Sequence, residues 1–285
     1  MLVLLPPSEG KASPEPVAGV EESVLRLEAL SLPELTAARE RVLAELVALC
    51  ADAAGGEGGP GDGGPGEDAK AREVLGLSEG LRGEIAKNAA LRTAPVRPAG
   101  QIYTGVLYDA LGLATLDAAA RVRAERALLV FSGLWGAVRV GDPIPSYRCS
   151  GGVKLPGTGA LAAFWRPALR EVLPQVAGDG LVLDLRSAAY AAMWRPQGEV
   201  AGRTVTVRVL QSKIVDGVEK RSVVSHFNKA TKGRLVRSLL SEGAQPRTPG
   251  ELATALCDLG YAVEHPAPAG PGRVTRLDVV VTDVH

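Results

Sequence analysis

Short apolar runs followed by polar residues recur along the chain and predict buried strands. The runs cover residues 2–5, 127–131, 181–185 and 277–281. The first run stops at Pro6 and Pro7, which leaves residues 8–11 in a loop beyond the strand end. Such loops often carry functional side chains. The second and third runs likewise lead into polar segments, at Ser132 and Arg186.

Apolar and polar residues alternate strictly over residues 204–210, which predicts one half-exposed strand with an extension to residue 214. Asp216-Gly217 favours a hairpin turn into a further strand at 218–224. Strands with helices between them, one antiparallel pair and no Gly-rich dinucleotide motif predict an α+β fold.

Helical periodicity accounts for most of the remaining chain. The predicted helices are 21–30, 32–51, 69–94, 160–173 and 225–240. Ser31 is the expected N-cap of the second helix, and Gly80 and Gly83 are expected breaks in the third. Residues 55–67 consist largely of Gly, Pro and acidic residues and predict a flexible loop without assigned function.

Composition favours a water-soluble protein of the cytoplasm and gives no sign of a membrane segment. The three cysteines, Cys50, Cys149 and Cys257, have no metal-binding or disulfide spacing, so reduced thiols are expected. Five apolar residues at the N-terminus, without a basic flank, are too few for a signal peptide, and no apolar run has membrane-spanning length. We therefore predict a cytoplasmic location.

Charge is segregated although the net charge is zero. Residues 200–240 hold nine basic and two acidic side chains. On a helix at about 100° per residue, Lys229 and Lys232 share the apolar face of residues 225–240. Lysines on that face are costly unless they reach a polar cleft that holds an anion; lysines that snorkel from a surface helix are the alternative. The candidate phosphate contacts here are Ser225, Asn228, Lys229, Lys232 and Arg234.

Two further segments offer anion contacts. The stretch 155–163 matches the hairpin of a helix-hairpin-helix element, in which the N–H groups of Gly157 and Gly159 would approach a DNA phosphate. A plain glycine turn before a helix is the alternative. Arg148 ends a proline-stiffened segment and can bind an anion or, alternatively, tie down a loop carboxylate.

Candidate catalytic groups are Lys11, Ser8, Tyr103 and His226, with Thr104 as a further phosphate contact. His226 adjoins Ser225, but neighbours in sequence rarely form a nucleophile and base pair, and no acid completes a triad. Three histidines cannot complete a convincing metal site here, so neither a metal nor a cofactor is expected.

Six motifs in linear order resemble the YaaA family, also called UPF0246 or DUF328. They are Pro7-Ser8 with Lys11, Tyr103-Thr104-Gly105, the segment 132–136, Pro145-Ser146-Tyr147-Arg148, Phe164-Trp165 and the segment 225–234. Enteric members of the family carry Ser-Pro-Ala-Lys where this chain has residues 7–11, and Tyr where it has His226-Phe227. This chain is therefore similar to a divergent, high-GC bacterial branch.

The resemblance implies a single compact α+β domain over residues 1–285, described as cantaloupe-like, with a positive cleft and a helix-hairpin-helix element. It also implies a bacterial cytosolic protein of the peroxide stress response with affinity for DNA.

Three functions stay open. The protein binds DNA phosphates through Arg148, Lys229, Lys232 and Arg234, aided by Gly157 and Gly159; or it is an enzyme acting on a nucleotide or nucleobase in the same cleft; or it works through a protein partner. DNA or a nucleotide-like phosphate is the expected partner of a monomer.

Overall fold

The computed structural model describes residues 1–13, 23–54, 68–215, 218–223, 225–264, 270 and 272–281. The predicted loop at 55–67 and the predicted turn at Asp216-Gly217 lie outside these ranges. No helix among the described residues is both long and apolar enough to cross a bilayer.

The described part of the chain forms twelve strands and eleven α-helices. The strands are β1 (Leu2–Leu5), β2 (Val96–Pro98), β3 (Leu128–Ser132), β4 (Gly136–Arg139), β5 (Pro143–Pro145), β6 (Lys154–Leu155), β7 (Gly159–Ala160), β8 (Val182–Asp184), β9 (Thr204–Val215), β10 (Val218–Ser222), β11 (Ala262–Glu264) and β12 (Thr275–Val281). The helices are α1 (Thr36–Ala54), α2 (Ala69–Leu75), α3 (Gly83–Ala89), α4 (Ala99–Ile102), α5 (Val106–Leu111), α6 (Ala118–Ala127), α7 (Leu161–Ala177), α8 (Ala188–Ala191), α9 (Gly198–Gly202), α10 (Ser225–Ser241) and α11 (Pro249–Asp258).

A mixed eight-stranded sheet forms the centre, in the order β11-β12-β9-β8-β1-β3-β4, with β10 paired to β9. Strands β12, β9, β8, β1 and β3 are mutually parallel, whereas β4, β11 and β10 run antiparallel to their neighbours. All residues of β1, β3 and β8 are buried, as expected for parallel strands covered on both faces. The prediction of an α+β fold with a mixed sheet and surrounding helices is confirmed.

Most predicted elements are confirmed, including the strand over 204–214 and the helix breaks near Gly80 and Gly83. The predicted helix at 21–30 is wrong: residues 14–22 are outside the described chain, and the rest holds only a 3-10 turn at Leu27–Ala29.

Ser31 does not cap a helix either, and the buried Arg39 explains why. Its guanidinium donates to the carbonyls of Ser31 (2.8 Å), Leu32 (3.3 Å) and Ala137 (2.8 Å), which fixes residues 31–32 in a non-helical path. Leu32 takes a left-handed backbone conformation (φ 61°), and the Ser31 hydroxyl donates to Asp142 instead. The α-helix therefore begins at Thr36, after a 3-10 turn.

Helix α10 approaches α5 closely at Gly233. A Cβ at this position would overlap the Leu107 carbonyl oxygen and lie 2.9 Å from the Ala110 Cβ. Both obstacles belong to the backbone or the first side-chain atom of α5, so neither can rotate away. The absence of a side chain at Gly233 thus sets how near α10 lies to the residues that precede α5, which include Tyr103 and Thr104.

We expect Gly233→Ala to lower the free energy of unfolding by about 1–3 kcal/mol, because the added methyl forces α10 away from α5. Urea denaturation followed by circular dichroism measures the change. Gly250→Ala in α11 is the matched control, since a Cβ there meets nothing within 4 Å. An unchanged midpoint for Gly233→Ala would show that the two helices can separate without cost.

Candidate functional site

The site lies where parallel strands of the sheet end and their connections diverge. From β1 the chain returns to the sheet at β3, on one side, whereas from β8 it returns at β9, on the other. Strands β1 and β8 are neighbours, so the point at which the connections diverge lies between their carboxyl ends; we call this position the crevice. Ligands of open α/β sheets bind at such switch points.

The loop after β1 is held against the segment between α4 and α5. The Tyr108 hydroxyl donates to the Pro6 carbonyl (2.7 Å), and the Ser8 hydroxyl accepts the Thr104 N–H (3.1 Å) while donating to the Gly10 carbonyl. An isolated bridge pairs Lys11 with Tyr103. The structure therefore brings together four residues singled out in the sequence: Ser8, Lys11, Tyr103 and Thr104.

The Lys11 ammonium lies against aromatic rings rather than beside a carboxylate. Its Nζ is 4.3 Å from the ring centroid of Tyr147 and 5.8 Å from that of Tyr103, and it donates to the Ser8 carbonyl at 2.9 Å. Burial lowers the pKa of Lys11 to about 8; the nearby Glu9 opposes this shift and Arg148 adds to it. A substantial fraction of Lys11 is consequently neutral at mildly alkaline pH.

Three buried hydroxyls form a chain beside this lysine. The Tyr103 and Tyr147 hydroxyls are 2.9 Å apart, and the Tyr147 hydroxyl is 2.6 Å from Ser132 Oγ. Ser132 Oγ also accepts the N–H groups of Leu134 and Trp135, which fixes it at the end of β3. Burial raises the pKa of both tyrosines far above the ordinary value, so both stay protonated and act as neutral hydrogen-bonding groups.

Arg148 ties down the loop that carries Lys11. Its guanidinium donates to the Glu9 carbonyl (2.8 Å) and contacts the Glu9 carboxylate (3.2 Å). The Arg148 backbone exchanges two hydrogen bonds with the buried Asn88 side chain. This is the tethering role that the sequence left as the alternative; anion binding by Arg148 stays a prediction.

Asp184 and Arg186, at the end of β8, form a buried ion pair that the sequence reasoning did not place in the site. Arg186 Nε and Nη2 contact the two Asp184 carboxylate oxygens at 2.8 and 2.6 Å. The same carboxylate interacts electrostatically with Lys232 of α10. Burial lowers the pKa of Lys232, and the negative charge of Asp184 opposes this shift. A single acid inside an apolar strand, Leu-Val-Leu-Asp-Leu, was the available sequence signal.

The other missed residues are Tyr147, Tyr108 and Ser132. No hydrophobic periodicity predicts that their hydroxyl groups lie in the site. Tyr147 and Ser132, however, both lie within the motifs on which the family resemblance rests.

The α10 candidates divide into buried and exposed residues. Lys232 is half-buried, whereas Lys229 and Arg234 are exposed, so the predicted core-facing position is wrong for Lys229. Helical periodicity gives the direction of a side chain but not where along the helix a neighbour begins, and α10 contacts α5 at Gly233 and Arg237, C-terminal to Lys229. Asn228 Oδ1 is buried without a hydrogen-bond partner among the described residues. The side chains of Ser225 and His226 lie outside the described part of the structure.

The helix-hairpin-helix element is not confirmed. Strands β6 and β7 form a small hairpin ahead of α7, but the described residues from 143 to 153 hold a strand, extended chain and a turn instead of a preceding helix. The N–H groups of Gly157 and Thr158 donate to the Glu45 carboxylate, at 2.9 Å for Thr158. Glu45 thus occupies one of the two donors expected to meet a DNA phosphate, the Gly157 N–H. Gly159 has a positive φ of 73°, which suits the turn.

No group of three His, Cys, Asp or Glu side chains within the described ranges is arranged to hold a metal ion.

Comparison with known proteins places the chain in a family. It belongs to the family described as peroxide stress protein YaaA, whose family model matches residues 1–266. The resemblance drawn from the six motifs is confirmed.

Two relatives that match over the full length carry UPF0246 names. A UPF0246 protein of Streptomyces coelicolor is 65% identical and covers 100% of both chains. A UPF0246 protein of Corynebacterium efficiens is 42% identical, covering 99% of this chain and 100% of the relative. An uncharacterized protein of Campylobacter jejuni is 30% identical over 58% of this chain and 61% of its own.

We expect Lys11 to titrate near pH 8, below the ordinary value for lysine, because its desolvated ammonium is less stable than one in water. NMR of protein with ¹³C-labelled lysine side chains measures the midpoints, and a Lys11→Arg variant assigns the signal by its loss. Since this pKa lies below that of the unfolded chain, Lys11 destabilises the fold below pH 8, and the effect disappears as pH rises through 8 toward 10.5. A Lys11 midpoint near 10.5 would contradict the desolvation.

Proposed function

We propose that this protein acts in the peroxide stress response by binding a phosphate-bearing ligand of nucleotide size in the crevice between β1 and β8. One observation carries the proposal: lysines from two separate elements, Lys11 and Lys232, are desolvated at this edge of the sheet. The nearby carboxylate, Asp184, is already engaged by Arg186.

Desolvated ammonium groups are unfavourable unless an anion compensates them. A phosphate between or beside these lysines restores the lost stabilisation and raises the pKa of each. The hydroxyls and N–H groups around the loop after β1, including those of Ser8 and Thr104, supply neutral donors of the kind that position a phosphate. The carboxyl end of parallel strands at a switch point is the usual place for such a ligand.

The same contacts favour a small ligand over a duplex. Gly157 and Thr158 donate to Glu45, and Arg148 is bonded to Glu9, so these donors are not free for DNA phosphates. Lys229 and Arg234 remain as exposed cations on α10. DNA binding on this helix face would be electrostatic, with a steep salt dependence.

A second function, an enzyme acting on a nucleotide or nucleobase, is favoured by Lys11 itself. A lysine with a pKa of about 8 can accept a proton or attack an electrophile near physiological pH, which an ordinary lysine seldom does. Tyr103 is less suited to take a proton as a base, because its raised pKa makes the phenolate rare.

Calorimetric titration with nucleoside mono-, di- and triphosphates tests the binding proposal. We expect Lys11→Met and Lys232→Met each to weaken nucleotide affinity about tenfold or more, because each removes a charge-assisted hydrogen bond to phosphate. Arg234→Gln is the control and leaves nucleotide affinity unchanged, since Arg234 is exposed and lies outside the crevice. The affinity for a DNA duplex is measured in the same variants. If Lys229→Gln and Arg234→Gln weaken duplex binding and the Lys11 and Lys232 variants do not, the proposal is overturned in favour of DNA.

Lys11→Arg separates binding from catalysis in the same series. Arginine keeps the charge but stays protonated, so it preserves phosphate affinity and removes proton or nucleophile chemistry. Loss of nucleotide turnover in this variant with retained affinity supports the enzyme; retained turnover excludes Lys11 as the reacting group.

A further inference from the structure

We propose that a second, separate pocket formed by Arg166, Arg170 and Arg195 binds a single tetrahedral oxyanion, inorganic phosphate or the terminal phosphate of a monoester. We call it the arginine pocket; Trp194 and Gln197 complete its walls. None of these residues is hydrogen-bonded to Lys11 or Lys232 in the described chain.

Two elements build the arginine pocket. Arg166 and Arg170 are four residues apart on α7, and side chains at this spacing lie on one face of a helix. Arg195 and Gln197 come from the connection between α8 and α9. Together with Trp194, these four residues line a cavity of about 70 Å³. That space holds a few waters or one small oxyanion and is too small for a nucleobase.

The positive charge of the arginine pocket is uncompensated. Among the described residues, none of the three arginines has a carboxylate partner. Within the described ranges, Arg166 is the one of the three whose guanidinium donates hydrogen bonds, from Nε and Nη2 to the Ala192 carbonyl at 3.4 and 3.3 Å. Like charges at helical neighbours repel, and an anion between them reverses the sign of the interaction. Guanidinium groups are the side chains best suited to bind phosphate oxygens in pairs.

The walls of the arginine pocket are held in place from the interior. Trp194 is 3% exposed, and its backbone carbonyl accepts Arg186 Nη2 at 2.9 Å. The guanidinium of Arg186 lies 4.2 Å from the Phe131 ring and is fixed by Asp184, so the backbone next to Arg195 is anchored in the core. Pro196 further restricts the backbone of Arg195 to extended conformations. A site with a rigid wall loses less entropy when the anion binds.

Calorimetry at low ionic strength, with inorganic phosphate and glycerol 3-phosphate titrated separately, tests the arginine pocket. The protein carries Lys11→Met and Lys232→Met throughout, so that failure of the crevice proposal does not affect the result. We expect Arg170→Gln with Arg195→Gln to weaken binding of at least one probe about tenfold or more, because two charge-assisted contacts are lost. The tighter probe identifies the natural form, free ion or monoester.

Arg126→Gln is the matched control, an exposed arginine on α6 without a carboxylate partner in the described chain. It should leave both affinities unchanged. Arg170 and Arg195 are exposed, so the double variant is expected to fold, and an unchanged melting temperature verifies this. Three results would overturn the proposal, and each is measured in the protein that carries Lys11→Met and Lys232→Met. They are no binding of either probe, the same probe affinity with and without the Arg170→Gln and Arg195→Gln changes, and a loss of affinity in Arg126→Gln as large as that in the double variant.

Discussion

The buried ion pair of Asp184 and Arg186 connects the end of β8, the loop after it and Lys232 at the carboxyl edge of the sheet. Arg186 has no exposed side-chain surface, and it satisfies the carbonyls of Tyr190 and Trp194 as well as both oxygens of Asp184. Removing one partner of such a pair leaves an uncompensated buried charge, which typically costs about 3–5 kcal/mol. The pair therefore fixes the end of β8, the loop after it and the carboxylate that Lys232 faces.

Desolvation, rather than an excess of charge, distinguishes this edge. Burial lowers the pKa of Lys11 and Lys232 and raises that of Tyr103 and Tyr147, so the cations bind protons less tightly and the phenols stay neutral. A surface that only attracts nucleic acid needs none of this, since exposed lysines and arginines suffice. Desolvated cations close to ordered hydroxyls are typical of sites that recognise or transform a small ligand.

The sequence predicted the fold well where hydrophobic patterns are local. The runs that became β1, β3 and β8 are apolar because both faces of a parallel sheet are covered, and the pattern shows this directly. The failures depend on distant partners. No residue near Ser31 in sequence indicates that its carbonyl accepts a hydrogen bond from Arg39. Likewise, no residue near Gly157 indicates that its N–H donates to Glu45.

The candidate site, like the fold, could be predicted from the sequence where local patterns determine it. Ser8, Lys11, Tyr103 and Thr104 were found because they follow an apolar run or stand in a compact loop, and they do lie together. Lys229 was misplaced because periodicity does not locate the neighbouring helix. The pattern around Asp184 indicates only a strand, although an acid in a buried run requires a partner.

The central claim is that the crevice between β1 and β8 receives a phosphate, and a crystal structure grown with a nucleotide tests it most directly. The account predicts phosphate density within hydrogen-bonding distance of Lys11 Nζ or Lys232 Nζ, at the carboxyl ends of the two strands. Nucleotide density confined to the exposed face of α10, at Lys229 and Arg234, with the crevice filled only by water, would contradict it.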